Sequence, residues 1–228
     1  MVLLMIGLCS VANGEVLRTF ISEFHREFTN RGAPETLDGT VFYDVASKKL
    51  TIEVREPLRQ WMILQGFETL IYYPDKQQAF RLKSQTDAIM PFFVVFIGCM
   101  QEDFGLGILG YTLARHEKKG SILTSFWRPP KNLVKLLGET ILVHDANRLV
   151  RVEYRSPKGT LLREGIFNRH ALFGGYYFPL EISISSKSKQ ESTLEKVTYI
   201  NPRFNAALPA AVKDFKLPPG VQVKEVDW

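Results

Sequence analysis

The stretch Leu50-Thr-Ile-Glu-Val-Arg-Glu-Pro57 decides the fold of this chain. Its apolar residues Leu50, Ile52 and Val54 alternate with polar ones. Because successive side chains of a β-strand point to opposite faces, this alternation predicts a strand with one apolar and one solvated face. Pro57 lacks a backbone N–H and ends the run. The fold is therefore expected to contain a sheet with one apolar side.

Similar segments recur on both sides of this strand. Residues 60–65 and 69–73 are predicted to form a hairpin about Gly66, followed by a turn at Pro74 and a strand through Phe80. Further strands are predicted at residues 110–116, 121–127, 140–144, 149–155, 160–167, 176–185, 194–201 and 221–226. About ten or eleven strands with short connections predict an antiparallel sheet that must close, curl or split to protect its edges.

Residues 15–30 carry an aromatic stripe. Val16, Phe20, Phe24 and Phe28 follow one another at steps of four residues. This spacing places all four side chains on one side of an α-helix, so we predict an amphipathic helix with an aromatic face. Gly and Pro in residues 31–34 are expected to end it.

Residues 86–104 contain the most apolar segment of the chain. Residues 88–100 are almost all apolar, which is too short for a transmembrane helix and too uniform for a surface helix. We predict a helical insert, with Asp87 as a candidate N-cap. If the helices fill the inside of the sheet, they form an ordinary core. If they leave space, the space suits acyl chains, at roughly 0.8 kcal/mol per buried methylene.

The N-terminal segment predicts export. Residues 1–12 are apolar over about the length of a signal-peptide core. The small residues that a signal peptidase requires are either Ser10 and Ala12 or Ala12 and Gly14, which gives a mature start near Asn13 or Glu15. We therefore expect residues 1–14 to be a signal peptide and residues 15–228 to form a single domain; the alternative is an N-terminal segment packed on that domain. Cleavage would remove Cys9 and leave Cys99, which we expect to be a buried, inert thiol.

Charge and composition limit the function classes. The net charge is +5, but Lys and Arg are scattered among Asp and Glu, so we expect no nucleic-acid partner. A series of arginines across neighbouring strands is expected to lie on a mixed-charge outer face together with Glu153, Glu164 and Glu181. The series consists of Arg148, Arg151, Arg155 and Arg163. Sixteen Phe, eight Tyr and three Trp require a large core or an apolar cargo.

Motifs of catalysis and of cofactor binding are weak. Residues 105–110 match Gly-x-Gly-x-x-Gly, but a helix is predicted before them and a strand after them, the reverse of a dinucleotide site. A flexible connector is the better interpretation. The four histidines lack the short spacing of metal ligands, and we find no nucleophile with a base to activate it. We expect neither enzymatic activity nor a cofactor or metal.

Several segments, in this order, carry a resemblance to a known family. They are Leu17-Arg-Thr-Phe-Ile-Ser-Glu-Phe-His-Arg-Glu-Phe28, Gly39-Thr-Val-Phe-Tyr43, Leu50 to Pro57, Gln60 to Gln65, Leu70-Ile-Tyr-Tyr-Pro-Asp75 and Leu208-Pro-Ala-Ala-Val-Lys-Asp-Phe-Lys-Leu-Pro-Pro-Gly-Val-Gln-Val223. Together they resemble the LolA-like superfamily, which includes the periplasmic carriers of outer-membrane lipoproteins. The similarity spans nearly the whole chain after residue 14, but each piece is degenerate.

The resemblance implies both a fold and a role. The implied fold is mainly β with an α lid: an unclosed antiparallel barrel around a hydrophobic cavity for lipoprotein acyl chains. The implied role is a monomeric periplasmic carrier or chaperone that receives cargo from an inner-membrane ABC transporter and delivers it to an outer-membrane receptor. True carriers have an Arg-Pro step that ties the lid, where this chain has Ala46-Ser-Lys-Lys49. The latch is thus either replaced, by Lys48 or Lys49, or absent.

Two hypotheses follow from the sequence. The first is a shuttle for lipid or lipoprotein; the alternative is a LolA-like envelope sensor or interaction module without a transport role. In either case the predicted cavity and lid residues share a bulky apolar side chain on a strand or helix predicted to face the cavity. They are Phe20, Phe24, Phe28, Leu50, Ile52, Val54, Trp61, Ile63, Tyr72, Ile89, Phe92, Phe93, Phe96, Val152, Tyr154 and Ile182.

Overall fold

The computed structural model describes residues 15–30, 34–66, 68–83, 95, 98–99, 101, 103–174, 176–187 and 192–227. Within these residues the chain forms one 14-stranded sheet. The strands are β1 (Thr19–Asn30), β2 (Glu35–Asp44), β3 (Lys49–Glu56), β4 (Gln60–Gln65), β5 (Glu68–Tyr73), β6 (Gln78–Lys83), β7 (Thr112–Lys119), β8 (Ile122–Arg128), β9 (Thr140–Asp145), β10 (Arg148–Arg155), β11 (Leu161–Phe173), β12 (Tyr176–Lys187), β13 (Ser192–Phe204) and β14 (Gln222–Asp227). A helix, α1, spans Ala210–Lys213, and a 3-10 turn spans Pro74–Lys76.

The sheet consists of two meanders joined in the middle. Its strand order is β14-β6-β5-β4-β3-β2-β1-β13-β12-β11-β10-β9-β8-β7. Neighbours are antiparallel except β14, which runs parallel to β6. The predicted antiparallel, unclosed sheet is confirmed, but it has 14 strands instead of about eleven. The central pairing of β1 with β13 joins the first and last parts of the chain, so folding must close a long loop.

The predicted helix at residues 15–30 is wrong, because this segment contains strand β1. A step of four residues is also an even number, so Phe20, Phe24 and Phe28 share one face of a strand as well as one side of a helix. Ser22 and Arg26 lie between them on that face and conceal the period of two. Strand β1 pairs with β2 on one side and with β13 on the other. These two ladders take up its backbone hydrogen bonds, and the long pairing outweighs the helical spacing.

One face of the sheet, here called the inner face, holds the main core. Its buried cluster combines Ile52 of β3 with Val152 of β10 and Ile182 of β12, strands that lie far apart in the sheet order. The sheet must therefore curl so that its two halves face each other. On this face the ring centroids of Phe20 of β1 and Phe178 of β12 lie 4.6 Å apart. Aromatic rings packed at this distance stabilise the fold by more than the burial of their apolar area alone.

The segment before β7 enters this inner side. Phe104 and Leu106 are buried, and the rings of Phe104 and Phe167 meet edge to face with centroids 5.9 Å apart. The backbone N–H of Cys99 donates to the carbonyl of Val95 at 3.0 Å, which is a helical hydrogen bond. Most of the predicted helical insert at residues 86–104 lies outside the described residues.

The opposite, outer face of β1–β4 is covered by the C-terminal segment. Val212 of α1 is buried against Ile21 and Phe42. The ring of Phe215 stacks on that of Trp61 with centroids 5.4 Å apart. The ammonium group of Lys49 donates to the carbonyls of Val212 (3.0 Å) and Lys213 (3.1 Å). Lys49, one of the two candidate lid latches, thus ties α1 to the outer face.

In the part of the chain that the structure describes, no helix has the length and apolar character needed to cross a membrane.

Candidate functional site

The curled sheet leaves a cavity of about 520 Å³ between its two halves. The cavity is partly open to solvent and lies beside the inner-face core. Its lining comes from a continuous run of strands in the sheet, β5-β4-β3-β2-β1-β13-β12-β11, whose two ends lie far apart in the strand order. The lining residues are Phe24, Arg26, Phe28, Leu37, Ile52, Val54, Gln60, Met62, Ile71, Tyr73, Arg163, Ile184, Ser186, Thr193 and Glu195.

Strands β2–β5 form one side of the cavity, here called the apolar wall. Ile52 of β3 is paired with Met62 of β4, which in turn is paired with Ile71 of β5. Directly paired residues share a face, so these three side chains form a continuous apolar row. Leu37 and Val54 extend this wall. It offers mainly hydrocarbon contacts; Gln60 and Tyr73 add polar groups, and the wall carries no formal charge.

Strands β1 and β11–β13 form the other side, here called the charged wall. Register sorts its polar residues into rows. Arg163 is paired with Ser186, and Ser186 with Thr193, so one row is fully polar. In the next row, Ile184 is paired with Glu195, and Glu195 with Phe28. The two walls therefore differ in chemistry: one side of the cavity is mainly apolar, and the other carries charged and hydroxyl groups.

Arg26 and Glu195 form an ion pair in the charged wall. The Nε of Arg26 donates to Oε1 of Glu195 at 2.5 Å. The Glu195 side chain is 7% exposed and that of Arg26 is 24% exposed. The guanidinium also lies over the ring of Phe28, 5.2 Å from its centroid. The charge of Arg26 is thus compensated inside the protein.

Arg163 differs from Arg26. It forms no ion pair or hydrogen bond with any residue that the structure describes. Its pairing partner on the other side is Tyr154 of β10. Burial raises the pKa of the Tyr154 hydroxyl to about 12, and the nearby positive charge of Arg163 opposes this rise. Arg163 therefore supplies a cation that borders both the cavity and a buried phenol.

The expected position of Arg163 on the outer face is wrong. Arg151 and Arg155 do lie in a mixed-charge cluster with Glu153, at 3.3 and 2.6 Å. Arg163 shares the inner face of β11 with Gly165 and the buried Phe167, and no register shift separates these three residues. Arg163 pairs with Tyr154, which belongs to the inner face, and so it lines the cavity. The sequence does not reveal this placement, because Arg163 on the inner face is charged while Ile166 on the outer face is apolar, so β11 lacks a clear alternation of apolar and polar residues.

The predicted site residues fall into groups. Those that line the cavity are Phe24, Phe28, Ile52 and Val54. Those that lie in or against the inner-face core beside it are Phe20, Leu50, Val152, Tyr154 and Ile182. Ile89, Phe92, Phe93 and Phe96 lie outside the described residues. A ligand-binding role for any of these side chains stays a prediction.

Trp61, Ile63 and Tyr72 were expected in the cavity, but the structure places them on the outer face. Trp61 is paired with Tyr72, and both rings contact Phe215. Ile63 follows Trp61 by two residues and shares its face. The expectation fails because β4 is covered on both sides: Met62 faces the cavity, while its neighbours face the C-terminal segment. A strand buried on both faces shows no alternation to read.

Sequence reasoning missed the other eleven residues of the lining. The missed side chains are Arg26, Leu37, Gln60, Met62, Ile71, Tyr73, Arg163, Ile184, Ser186, Thr193 and Glu195. Ile184 could have been found, since it follows the predicted Ile182 by two residues. The polar residues carried no such signal, because an ion pair such as that of Arg26 and Glu195 depends on strand register.

The glycine-rich segment at residues 105–110 is hydrogen-bonded to the side chain of Asp103, which lies just before it in the chain. The carboxylate of Asp103 accepts hydrogen bonds from the backbone N–H groups of Gly105 and Gly107, each at 2.9 Å. These donors are the kind that hold a pyrophosphate in a dinucleotide site. Asp103 occupies them here, which agrees with the rejection of that motif. Among the described residues, no group of three or more His, Cys, Asp or Glu could hold a metal ion.

Comparison with known proteins identifies the fold. No protein-family model and no curated protein matches the sequence. Among solved structures, a LolA superfamily protein from Nitrosomonas europaea is 15% identical, with a TM-score of 0.60 over 90% of this chain and 94% of that one. A domain from Vibrio parahaemolyticus assigned to outer membrane lipoprotein sorting is 16% identical, with a TM-score of 0.62 over 87% and 90%.

A third structure, of a DUF1329 family protein from Desulfovibrio piger, is 14% identical, with a TM-score of 0.58 over 86% of this chain and 90% of that one. Likeness at this level of identity shows the fold and leaves the role open. The chain has a LolA-like fold, as its sequence resemblance implied.

Proposed function

We propose that this protein is an exported carrier that binds the acyl chains of a lipoprotein or lipid in the cavity. The single observation that carries this proposal is the cavity of about 520 Å³ that remains beside the inner-face core. Ligand pockets in proteins commonly measure about 300–1,000 Å³ and are mainly apolar. The cavity therefore has a suitable size and lining for one hydrocarbon ligand.

The apolar wall supplies the binding free energy. Each methylene group transferred from water into such surroundings contributes about 0.8 kcal/mol. Ile52, Met62 and Ile71 are fixed in one row by the hydrogen bonds of β3–β5. Because the sheet fixes the backbone of this wall, the ligand orders few groups when it binds, and less of the gain is lost to entropy.

The described lining favours carriage over chemical turnover. Ser186 and Thr193 bring hydroxyl groups to the cavity, but no histidine is among the described lining residues to activate them. The carboxylate of Glu195 is engaged by Arg26. We therefore propose a binding protein and not an esterase.

The transport role is proposed from the likeness of fold. In this role the protein acts in the periplasm, takes its cargo from an inner-membrane ABC transporter and passes it to an outer-membrane receptor. A cavity that is partly open to solvent fits a cargo that must enter and leave. Native mass spectrometry of the protein purified from its own envelope would identify the cargo by its mass.

Two neighbouring residues of β13 allow a matched test of binding in the cavity. Thr193 lines the cavity, whereas Leu194 is 53% exposed. We expect Thr193→Trp to fill the cavity and to weaken binding of a fluorescent, uncharged monoacylglycerol by about tenfold or more. Leu194→Trp adds the same side chain one position away and is expected to bind like the wild type. Val54→Trp fills the cavity from the apolar wall and serves as a second variant. Unchanged binding by both cavity variants would overturn the proposal.

A further inference from the structure

We propose that the cavity takes an amphiphile with an anionic headgroup, a carboxylate or a phosphate, whose headgroup binds Arg163 and whose chain lies on the apolar wall. This inference rests on the proposed function and names the class of its ligand. It goes beyond acyl binding, because the headgroup of the ligand is assigned to one end of the cavity and to one side chain.

The first argument concerns the balance of charges in the cavity lining. Its formally charged residues are two guanidinium groups, Arg26 and Arg163, and one carboxylate, Glu195. Arg26 and Glu195 are bonded to each other at 2.5 Å. The lining therefore keeps one positive charge, at Arg163, without an anion among the described residues. A cation beside hydrocarbon is costly unless an anion joins it. An uncharged ligand would cover this cation and leave it unpaired.

The second argument concerns the hydroxyl groups beside Arg163. Ser186 lies directly beside it in the row, and Thr193 lies beside Ser186. All three line the cavity. A guanidinium binds carboxylate or phosphate oxygens with two parallel hydrogen bonds, and hydroxyl groups donate to the same oxygens. This row is the part of the lining that matches an anionic headgroup.

The position of Glu195 sets the orientation of the ligand. Glu195 is one row away from Arg163 and shares its row with Ile184 and Phe28. Because Glu195 neutralises Arg26, this end of the charged wall offers no uncompensated positive charge to an anionic headgroup. The headgroup is thus directed to Arg163, and the chain lies over the row of Ile52, Met62 and Ile71 opposite.

The test compares charged and uncharged ligands of equal chain length. Palmitate, the phosphate-bearing palmitoyl lysophosphatidate and the uncharged monopalmitin compete against a fluorescent acyl probe below their micellar concentrations. The wild type is expected to prefer at least one anion over monopalmitin by about 10- to 100-fold, the range of a charge-assisted hydrogen bond. The preferred anion distinguishes a carboxylate from a phosphate headgroup.

Arg163→Met is the decisive variant, and Arg151→Met is its control. Arg151 is an arginine of the neighbouring strand β10 that pairs with Glu153 on the outer face. We expect Arg163→Met to abolish the preference for the anion while binding of monopalmitin persists, and Arg151→Met to keep the preference. Equal binding of all ligands by the wild type, or an unchanged preference in Arg163→Met, overturns the inference and leaves acyl binding intact. Failure of the wild type to bind any of the ligands overturns the proposed function itself.

Discussion

Nε of Arg26, on strand β1, lies 2.5 Å from Oε1 of Glu195, on strand β13. This ion pair crosses the central seam of the sheet, where the first strand of the chain meets one of the last. It also forms part of the cavity wall. One contact thus joins the two meanders and neutralises two of the three charges that line the cavity.

The first prediction concerns this pair. Arg26→Met leaves the carboxylate of Glu195, whose side chain is 7% exposed, without its cation. We expect the free energy of unfolding to fall by about 3 kcal/mol, since an isolated buried charge is costly. Urea denaturation measures the loss. The double variant Arg26→Met, Glu195→Met removes both charges and should recover most of the stability. If the double variant is as unstable as the single one, packing and not charge explains the effect.

The second prediction concerns pH. The pKa of His25 is raised, because its ring binds the carboxylate of Asp38, with Nδ1 2.8 Å from Oδ1. Protonated His25 therefore stabilises the folded state below its unfolded pKa of about 6.5, and this stability is lost as the pH rises through the higher folded value. We expect His25→Gln to lower the free energy of unfolding more at about pH 5.5 than at about pH 8.5.

His144 provides the opposite sign for comparison. Burial lowers the pKa of His144, so its protonation favours the unfolded state as the pH falls. His144→Gln should consequently remove a loss of stability at acidic pH. Denaturation of both variants across the pH range checks the two signs, and equal pH dependence in both would contradict the assignment.

The third prediction separates the two faces of the sheet. Phe215→Ala removes the ring that stacks on Trp61 and contacts Tyr72 on the outer face. We expect a loss of about 2 kcal/mol in the free energy of unfolding and unchanged binding of an acyl ligand. Phe28→Ala, in the cavity lining, should instead weaken binding. Loss of binding in Phe215→Ala would show that the outer face takes part.

The fourth prediction concerns the thiol of Cys99. The residue keeps some exposed surface, but burial of its thiol raises the pKa well above the ordinary value. Because the thiolate is the reactive form, we expect Cys99 to react with a disulfide reagent only slowly in the folded state and rapidly in urea. A Cys9→Ser variant restricts the assay to this thiol. Rapid reaction of the folded protein at neutral pH would contradict the burial of Cys99.

The sequence predicted the sheet better than it predicted the cavity. Alternation in residues such as Leu50, Ile52 and Val54 reflects a strand with one wet face, and such strands were found with nearly correct bounds. The spacing of Phe20, Phe24 and Phe28 by four residues fits both a helix and a strand, so it does not identify β1 as a strand. Local spacing does not reveal that this strand pairs with β13, almost the whole chain away.

Which side chains face the cavity depends on strand register, and local sequence patterns reveal the register only in part. Ile52 and Val54 were found because their strand alternates. The face of Trp61 cannot be predicted from the pattern, because both faces of β4 are covered and the four positions 61–64 are all apolar. Arg163 lies on the inner face although it is charged, and Ile166 lies on the outer face although it is apolar, so β11 shows no alternation that predicts the position of Arg163. Charged residues that line a cavity depart from the usual pattern of apolar residues inside and polar residues outside. In this protein these departures lie in the proposed binding site.

The central claim is that an acyl chain lies between the two walls of the sheet, and nuclear Overhauser contacts test it most directly. The experiment uses an isotope-labelled fatty acid bound to the protein with labelled methyl groups. We expect contacts from the chain to the methyl groups of Ile52, Val54 and Ile184, which line the cavity. Ile21 and Ile63, on the outer face, should show none. Contacts confined to Ile21 and Ile63, or no contact with any cavity methyl group, would contradict the account.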